Sequence, residues 1–419
     1  MSALGSQRWY IEEIPADDGN DESKTLSQSK TVISSLVGSA QSGVLDNNEG
    51  ACFATLETGP AALETSKYKE SDKISNAGTA DQDAGKITSS GGWKCRTITT
   101  SANEMPSPRG GCSWTQVGSK YLLFGGADSC QQHFAGVQSF DKATGRWEKI
   151  ATRGTPPSPR SGHSAIAFGG SLVVYGGMNG TDNVTFNDIF QLRIGENHSM
   201  EWKCLPCKDA PPRNSHAVVL HENNMVIIGG ASPDGQTDDV HIIDLSNLSS
   251  LTCRQVRSQT ATNASSHSEN FQRVPAAREM HSACLCSVQA TENRDPIILV
   301  VGGRSVSGVH RDLFSLNTVS WEWRRLKDAP APRCAHTACL VGDGGTMAIF
   351  GGWDGGTRVA NDLHLYDVET DSWTTPAVSP PPAGRFAHAA CAGGGSSVFI
   401  FGGVNPGENL ADVVVLMTS

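Results

Sequence analysis

The sequence predicts an all-β fold in which six four-stranded units pack radially as the blades of a β-propeller, behind an acidic tail. Three observations predict it. The chain has 419 residues and 45 glycines with no collagen period, which points to many turns joining short strands. The pattern Arg-x-x-His, apolar run, Gly-Gly recurs in six copies at intervals of about fifty residues, the length of a four-stranded blade. A lone four-stranded sheet has two apolar faces, and only neighbours on both sides cover them.

The first two strands of each unit lie in "PRGGCSWTQVGSKYLLFGG", "PRSGHSAIAFGGSLVVYGG", "PRNSHAVVLHENNMVIIGG", "AREMHSACLCSVQATENRDPIILVVGG", "PRCAHTACLVGDGGTMAIFGG" and "GRFAHAACAGGGSSVFIFGG". The arginines are Arg109, Arg160, Arg213, Arg278, Arg333 and Arg385. They precede the first glycines, Gly125, Gly176, Gly229, Gly302, Gly351 and Gly402, by 16, 16, 16, 24, 18 and 17 residues. The longest separation contains the polar insertion "QATENRDP". An apolar run folded back at turn residues reads as a hairpin.

The third strand is entered by Asp or a turn residue, in "AGVQSFD", "NDIFQL", "DDVHIIDL", "RDLFSLN", "NDLHLYD" and "ADVVVLM"; Gly136 replaces the aspartate in the first copy. The fourth opens at Trp147, Trp202, Trp323 or Trp373, and the third copy has "LTCRQV" instead. A Ser/Thr/Asn-rich stretch, "RSQTATNASSHSENFQ", reads as a surface loop. The sixth copy ends after three strands, and "WKCRTI" (Trp93 to Ile98) stands before the first arginine. Pairing it with the last strand would close the ring without a free edge.

Residues 1–92 hold seven Lys/Arg against fourteen Asp/Glu and are rich in Ser, Gly, Asn and Thr, a composition expected to stay largely disordered. Its one apolar cluster is "RWYIEEI", with Trp9, readable as a docking motif or as a segment resting on the propeller. The domains are therefore 1–92, tail, and 93–419, propeller.

The order Arg-x-x-His, apolar run, Gly-Gly, Asp, Trp resembles the kelch repeat over residues 93–419. Departures are Cys112 at the histidine position of the first copy, the missing tryptophan of the third and Ala277 for proline in the fourth. The resemblance implies a six-bladed propeller and several possible roles: Rab-effector-like adaptor, ubiquitin-ligase substrate receptor, cytoskeletal organiser or, in a few members, enzyme. The proline-rich approaches "TPPSPR", "DAPPR", "DAPAPR" and "SPPPAGR" resemble short intracellular kelch-domain proteins most.

A formal net charge of −10 disfavours nucleic acid and anionic membranes as partners. No apolar run reaches the 18 or so residues that span a bilayer, and the start lacks the apolar core of a secretory signal, so cytoplasm or nucleus is expected. Twelve cysteines without scaffold spacing read as reduced, buried thiols, with no metal expected at the single Cys-x-x-Cys, Cys204 and Cys207.

His163, His216, His281, His336 and His388 share one repeat position, so a ring separates them and each is expected to bond to backbone of its own or a neighbouring blade. The glycine pairs lack the Gly-Lys-Ser/Thr of a phosphate loop. A copper oxidase of the galactose-oxidase kind, or a mutarotase, is the alternative from the enzyme class, but Tyr121, Tyr175 and Tyr366 sit at ordinary strand positions. No catalytic residue and no cofactor is expected.

Specificity is expected directly after the glycine pairs, where the copies diverge. Copies four and five bring Arg304, His310, Arg311, Trp353 and Arg358 to adjacent loops. Arginines beside a tryptophan suit an acidic peptide or a C-terminal carboxylate of a protein partner.

Overall fold

The computed structural model describes residues 12–13, 31–32, 92–100, 104–195, 199–260, 273–287 and 295–418. Of the acidic tail, only Gly92 and the antiparallel pair Glu12–Glu13 and Thr31–Val32 fall among them, so the expected disorder of 1–92 and the role of Trp9 lie outside the described residues. So do most of the Ser/Thr/Asn-rich loop and the insertion in the fourth repeat.

The described residues form six blade sheets, built on antiparallel four-stranded units, together with three two-stranded pairs and no helix. Blade 1 comprises Gly110–Val117, Lys120–Ala127, Val137–Asp141 and Arg146–Ile150. Blade 3 comprises Ala217–His221, Asn224–Ser232, Gly235–Asp244 and Thr252–Val256, so "LTCRQV" does form the fourth strand without its tryptophan. Blade 6 takes Ala389–Gly394, Ser397–Asn405 and Glu408–Thr418 from the end of the chain and Trp93–Ile98 from before the first repeat. That closing strand pairs antiparallel with the last one, from Trp93 opposite Thr418 to Ile98 opposite Val413.

Blade 2 comprises Ser164–Phe168, Ser171–Tyr175, Ile189–Ile194 and Met200–Leu205, blade 4 Ser282–Cys286, Ile297–Val301, Leu313–Asn317 and Glu322–Arg325, and blade 5 Thr337–Val341, Thr346–Phe350, Leu363–Asp367 and Ser372–Thr374. Blades 2, 4 and 6 carry a fifth strand that the four-strand pattern does not predict. Thr152–Gly154, Gln259–Thr260 and Val378–Ser379 run parallel to the outer strands of blades 2, 4 and 6. Each belongs to the connector arriving from the blade before, and it covers an otherwise open edge.

Packing follows the radial logic. The six apolar clusters are six blade interfaces: Leu122 and Phe124 of blade 1 meet Leu172 and Leu192 of blade 2, and so on round to Phe399 and Phe401 of blade 6 against Trp114 and Trp147 of blade 1. The repeat tryptophan packs toward the preceding blade, as Trp202, Trp323 and Trp93 do, all buried. The first strands of neighbouring blades touch one another in a closed cycle, which makes them the inner wall.

Two closed cycles of backbone hydrogen bonds hold that wall. Gly111 N–H donates to Ala387 O, Gly162 to Gly111, Ser215 to Gly162, Met280 to Ser215, Ala335 to Met280 and Ala387 to Ala335, all at 2.7–2.9 Å. All six residues are left-handed, with φ between 52° and 66°. In the second cycle the later glycine of each pair donates to the arginine carbonyl of the next blade, from Gly126 to Arg160 O round to Gly403 to Arg109 O, at 2.7–2.9 Å. This approach explains the glycine pairs. A Cβ on Gly176 would lie 2.5 Å from Arg213 O, and one on Gly177 would lie 2.8 Å from His163 Cβ at a φ of +95°.

Candidate functional site

The repeat arginines are framework, and their partners are more specific than backbone alone. Arg160 Nη1 donates to Gly176 O at 2.8 Å, and its two terminal nitrogens grip Asp188 at 2.5 and 3.0 Å. Arg278 grips Asp312 at 2.5 and 2.8 Å, and Arg385 grips Asp412 at 2.8 and 2.9 Å. Arg213 pairs with Asp239 and Arg333 with Asp362. In blades 2 to 6 the aspartate of the third-strand pattern is thus the counter-ion of its own blade's arginine.

Four of the five histidines bond across blades through the ring, three of them to hydroxyls, whereas neither ring nitrogen of buried His336 has a hydrogen-bond partner among the described residues and Ser282 Oγ donates to its backbone carbonyl at 2.8 Å. His163 Nε2 meets Ser113 Oγ at 2.9 Å, His216 meets Ser164 at 2.7 Å and His388 meets Thr337 at 2.8 Å. Where the preceding blade offers Ala217, His281 turns to Ile228 O at 3.1 Å. Burial, reinforced by the adjacent arginine, pushes the imidazoles of His163, His216, His281 and His388 down to about 3, and that of His336 well below its ordinary value. Neutral, buried and dispersed around the ring, they cannot shuttle protons at one centre.

Among the described residues no group of three or more His, Cys, Asp or Glu is arranged to hold a metal, and no helix is long and apolar enough to cross a membrane. The cysteines divide, against the expectation of uniform burial: Cys284, Cys286, Cys334 and Cys339 are buried, whereas Cys130 and Cys204 are exposed. All eleven described cysteines are free thiols, and burial pushes Cys334 and Cys339 up to about 12.

The divergent loops of blades 4 and 5 lie side by side, since a Cβ on Gly355 would fall 2.7 Å from Val309 Cγ2. Their first residues, Arg304 and Trp353, are held by backbone bridges to Glu279 and Cys334, the residues after the repeat arginines. Arg304 is committed to buried Glu279 at 2.9 Å, which also accepts from Gln236 Nε2 at 3.1 Å. His310 Nε2 lies 2.8 Å from Ser305 Oγ, closing its own hairpin, and burial lowers its pKa. Trp353 is half-buried and donates from Nε1 to Gly356 O at 2.8 Å, so it folds partly onto its own turn.

Arg311 and Arg358 are the open members, with side chains 58% and 52% exposed. Each shares an aspartate with a second arginine: Asp328 serves Arg311 and Arg325, and Asp362 serves Arg358 and Arg333. Burial opposes ionisation of Asp362, yet hydrogen bonds from His364 and Arg333 prevail and hold it well below the ordinary carboxylate range. At blade 5 a second carboxylate is close, since Asp354 Oδ1 accepts from Arg358 N–H at 3.2 Å.

A family model, the Attractin/LZTR1 beta-propeller, matches residues 121–414. The chain belongs to the Attractin/LZTR1 β-propeller family. This propeller family here takes the form of kelch repeats, in keeping with the relatives it resembles. A leucine-zipper-like transcriptional regulator 1 homolog of Drosophila melanogaster is 25% identical over 67% of this chain and 28% of its own length. Kelch domain-containing protein 2 of Bos taurus is 25% identical over 63% of this chain and 66% of its own, and an F-box/kelch-repeat protein of Arabidopsis thaliana is 27% identical over 73% and 68%. The chain thus spans little more than a quarter of the Drosophila relative.

Proposed function

We propose that this propeller is a non-enzymatic protein-interaction adaptor, acting in the cytoplasm or nucleus, whose blade 4 and 5 loops take an acidic segment of a protein partner. The observation that carries the reading is the exposure of Arg311 and Arg358 on the adjacent loops of blades 4 and 5, the latter in the same turn as half-buried Trp353. Guanidinium pairs bidentately with carboxylate, and Trp and Arg are favoured interface anchors. Arg304 and His310 serve by fixing the loop that carries them.

An acidic internal segment and a free C-terminal carboxylate offer the same chemistry. Binding of fluorescent acidic peptides to the full chain, with free or amidated C-termini, distinguishes them. The reading expects saturable binding that weakens at least tenfold in the Arg311→Ala/Arg358→Ala protein. Equal binding by both proteins, or by neutral peptides, would overturn it.

A second reading, a ubiquitin-ligase substrate receptor, uses the same face and is favoured by the likeness to an F-box/kelch-repeat protein. Stoichiometric co-purification of ligase subunits would select it over a free-standing adaptor.

A further inference from the structure

Blade 1 breaks the ion-pair rule that the other five obey. Gly136 stands where the counter-ion aspartate belongs, and among the described residues no carboxylate lies within ion-pair distance of Arg109. Arg109 is nevertheless only 4% exposed. Asp128 acts on it at longer range, and its Oδ1 already accepts from Gln132 N–H at 2.9 Å.

Arg109 is held instead by Gly125 O at 3.1 Å, by Ser107 O at 2.9 Å, by stacking 3.8 Å over Phe134 and, from Nη2, by Ser107 Oγ at 2.8 Å. The corresponding Nη2 of Arg160 donates to Asp188. The serine hydroxyl thus sits at the nitrogen that a carboxylate occupies in blade 2, and a Cβ on Gly136 would meet nothing within 4 Å, so a side chain at the aspartate's position would be unobstructed.

Ser107 is exposed and followed by Pro108, the Ser-Pro dipeptide that proline-directed kinases read in extended backbone. We propose that Ser107 is a phosphorylation site whose phosphate becomes the missing counter-ion of Arg109. A kinase would transfer the γ-phosphoryl of a nucleoside triphosphate to Ser107 Oγ. The new O–P bond replaces the hydroxyl O–H, the proton leaves through the kinase base, and the nucleoside diphosphate departs as the β–γ bond breaks.

The product carries about −1.5 to −2 charge and acceptor oxygens suited to the guanidinium edge. The location gives the modification a consequence. Arg109 N–H donates to Leu410 O at 3.2 Å and Arg109 O accepts from Gly403 N–H at 2.9 Å, so a fixed Arg109 strengthens the seam where blade 6 meets blade 1. Ser158-Pro159-Arg160 is the internal control, because Arg160 already has Asp188 and a phosphate there would face that carboxylate.

The test uses the full chain with phosphoserine genetically encoded at position 107 or, separately, 158. At 107 the melting temperature is expected to rise by about 2 °C or more, and the ³¹P titration midpoint to fall below the ordinary value of about 6. At 158 neither shift is expected. In the Gly136→Asp protein, whose new carboxylate competes for Arg109, phosphoserine 107 should lose its effect on melting. A proline-directed kinase with ATP should also label Ser107 in the folded chain. The proposal is overturned if phosphoserine 107 changes neither melting nor midpoint, if 158 gains as much, or if the folded chain resists a kinase that labels the same segment as a peptide.

Discussion

Removing the carboxylate of Asp312 is the perturbation whose size the structure fixes best. Arg278 and Asp312 are 2% and 7% exposed and share two hydrogen bonds, while Arg278 also binds Gly302 O at 2.8 Å and Ala276 O at 3.0 Å. In Asp312→Ala the guanidinium keeps its carbonyl partners but stays charged and shielded from water. Stranding one member of such a pair costs about 3–5 kcal/mol. For a domain of this size, with about 2 °C of melting temperature per kcal/mol, that is a fall of about 6–10 °C. Asp412 is the comparison, since its side chain is 34% exposed and water can replace it, so Asp412→Ala should cost about 1 kcal/mol. The double replacement Arg278→Met/Asp312→Leu should be less damaging than Asp312→Ala alone, because it removes the buried charge as well. Scanning calorimetry at fixed pH and salt measures all three. Equal melting of Asp312→Ala and Asp412→Ala, or a double variant worse than the single, would refute the reasoning.

Other expectations test different links. Deleting Trp93–Ile98 removes the strand paired along Glu408–Thr418 and a buried tryptophan, so cooperative melting should be lost; an unchanged calorimetric transition would contradict ring closure. Gly177→Ala puts a Cβ 2.8 Å from His163 Cβ and 2.9 Å from Ser161 O and should cost several kcal/mol, on the order of 2–4, read as a lowered denaturation midpoint. Acid should destabilise the ring through its histidines, whose folded pKa values near 3 lie below the unfolded value near 6.5. Their stabilising contribution is complete above about pH 6.5 and is lost as pH falls toward 3, roughly 1 kcal/mol per histidine by pH 5.5. A melting temperature constant from pH 7 to 5 would contradict this.

Repetition made the frame legible. Arg213, His216 and Gly229–Gly230 look like a site in isolation and like scaffold once five counterparts are aligned, and the structure gives each a structural bond. The closing strand was legible too, because a sixth repeat missing its tryptophan strand pointed to Trp93. Relations between strands were harder. Asp188 and Asp312 read only as entries to the third strand because the arginines they neutralise lie 28 and 34 positions earlier, ahead of the first strand of the same blade. The hydroxyl partners of the histidines lie about fifty residues away on the preceding blade, so local pattern does not pair them. The first relation leaves no trace in the sequence, because Arg109 is kept where Gly136 replaces the aspartate; the second leaves one, since Cys112 replaces histidine where blade 6 offers only Ala389. At the loop face, sequence placed Arg304, Arg311 and Arg358 together, but which arginine is spent on a buried carboxylate depends on Glu279, and only the fold brings that residue to Arg304.

The proposed division between a repeated frame and divergent loops that bind a partner is tested most directly by one comparison. Full-length protein and its Arg311→Ala/Trp353→Ala/Arg358→Ala variant would be purified from their native cells at matched melting temperature, with co-purifying proteins quantified by mass spectrometry. A reproducible partner retained by the first and lost from the second is the predicted result. An identical set of partners for both proteins would contradict it.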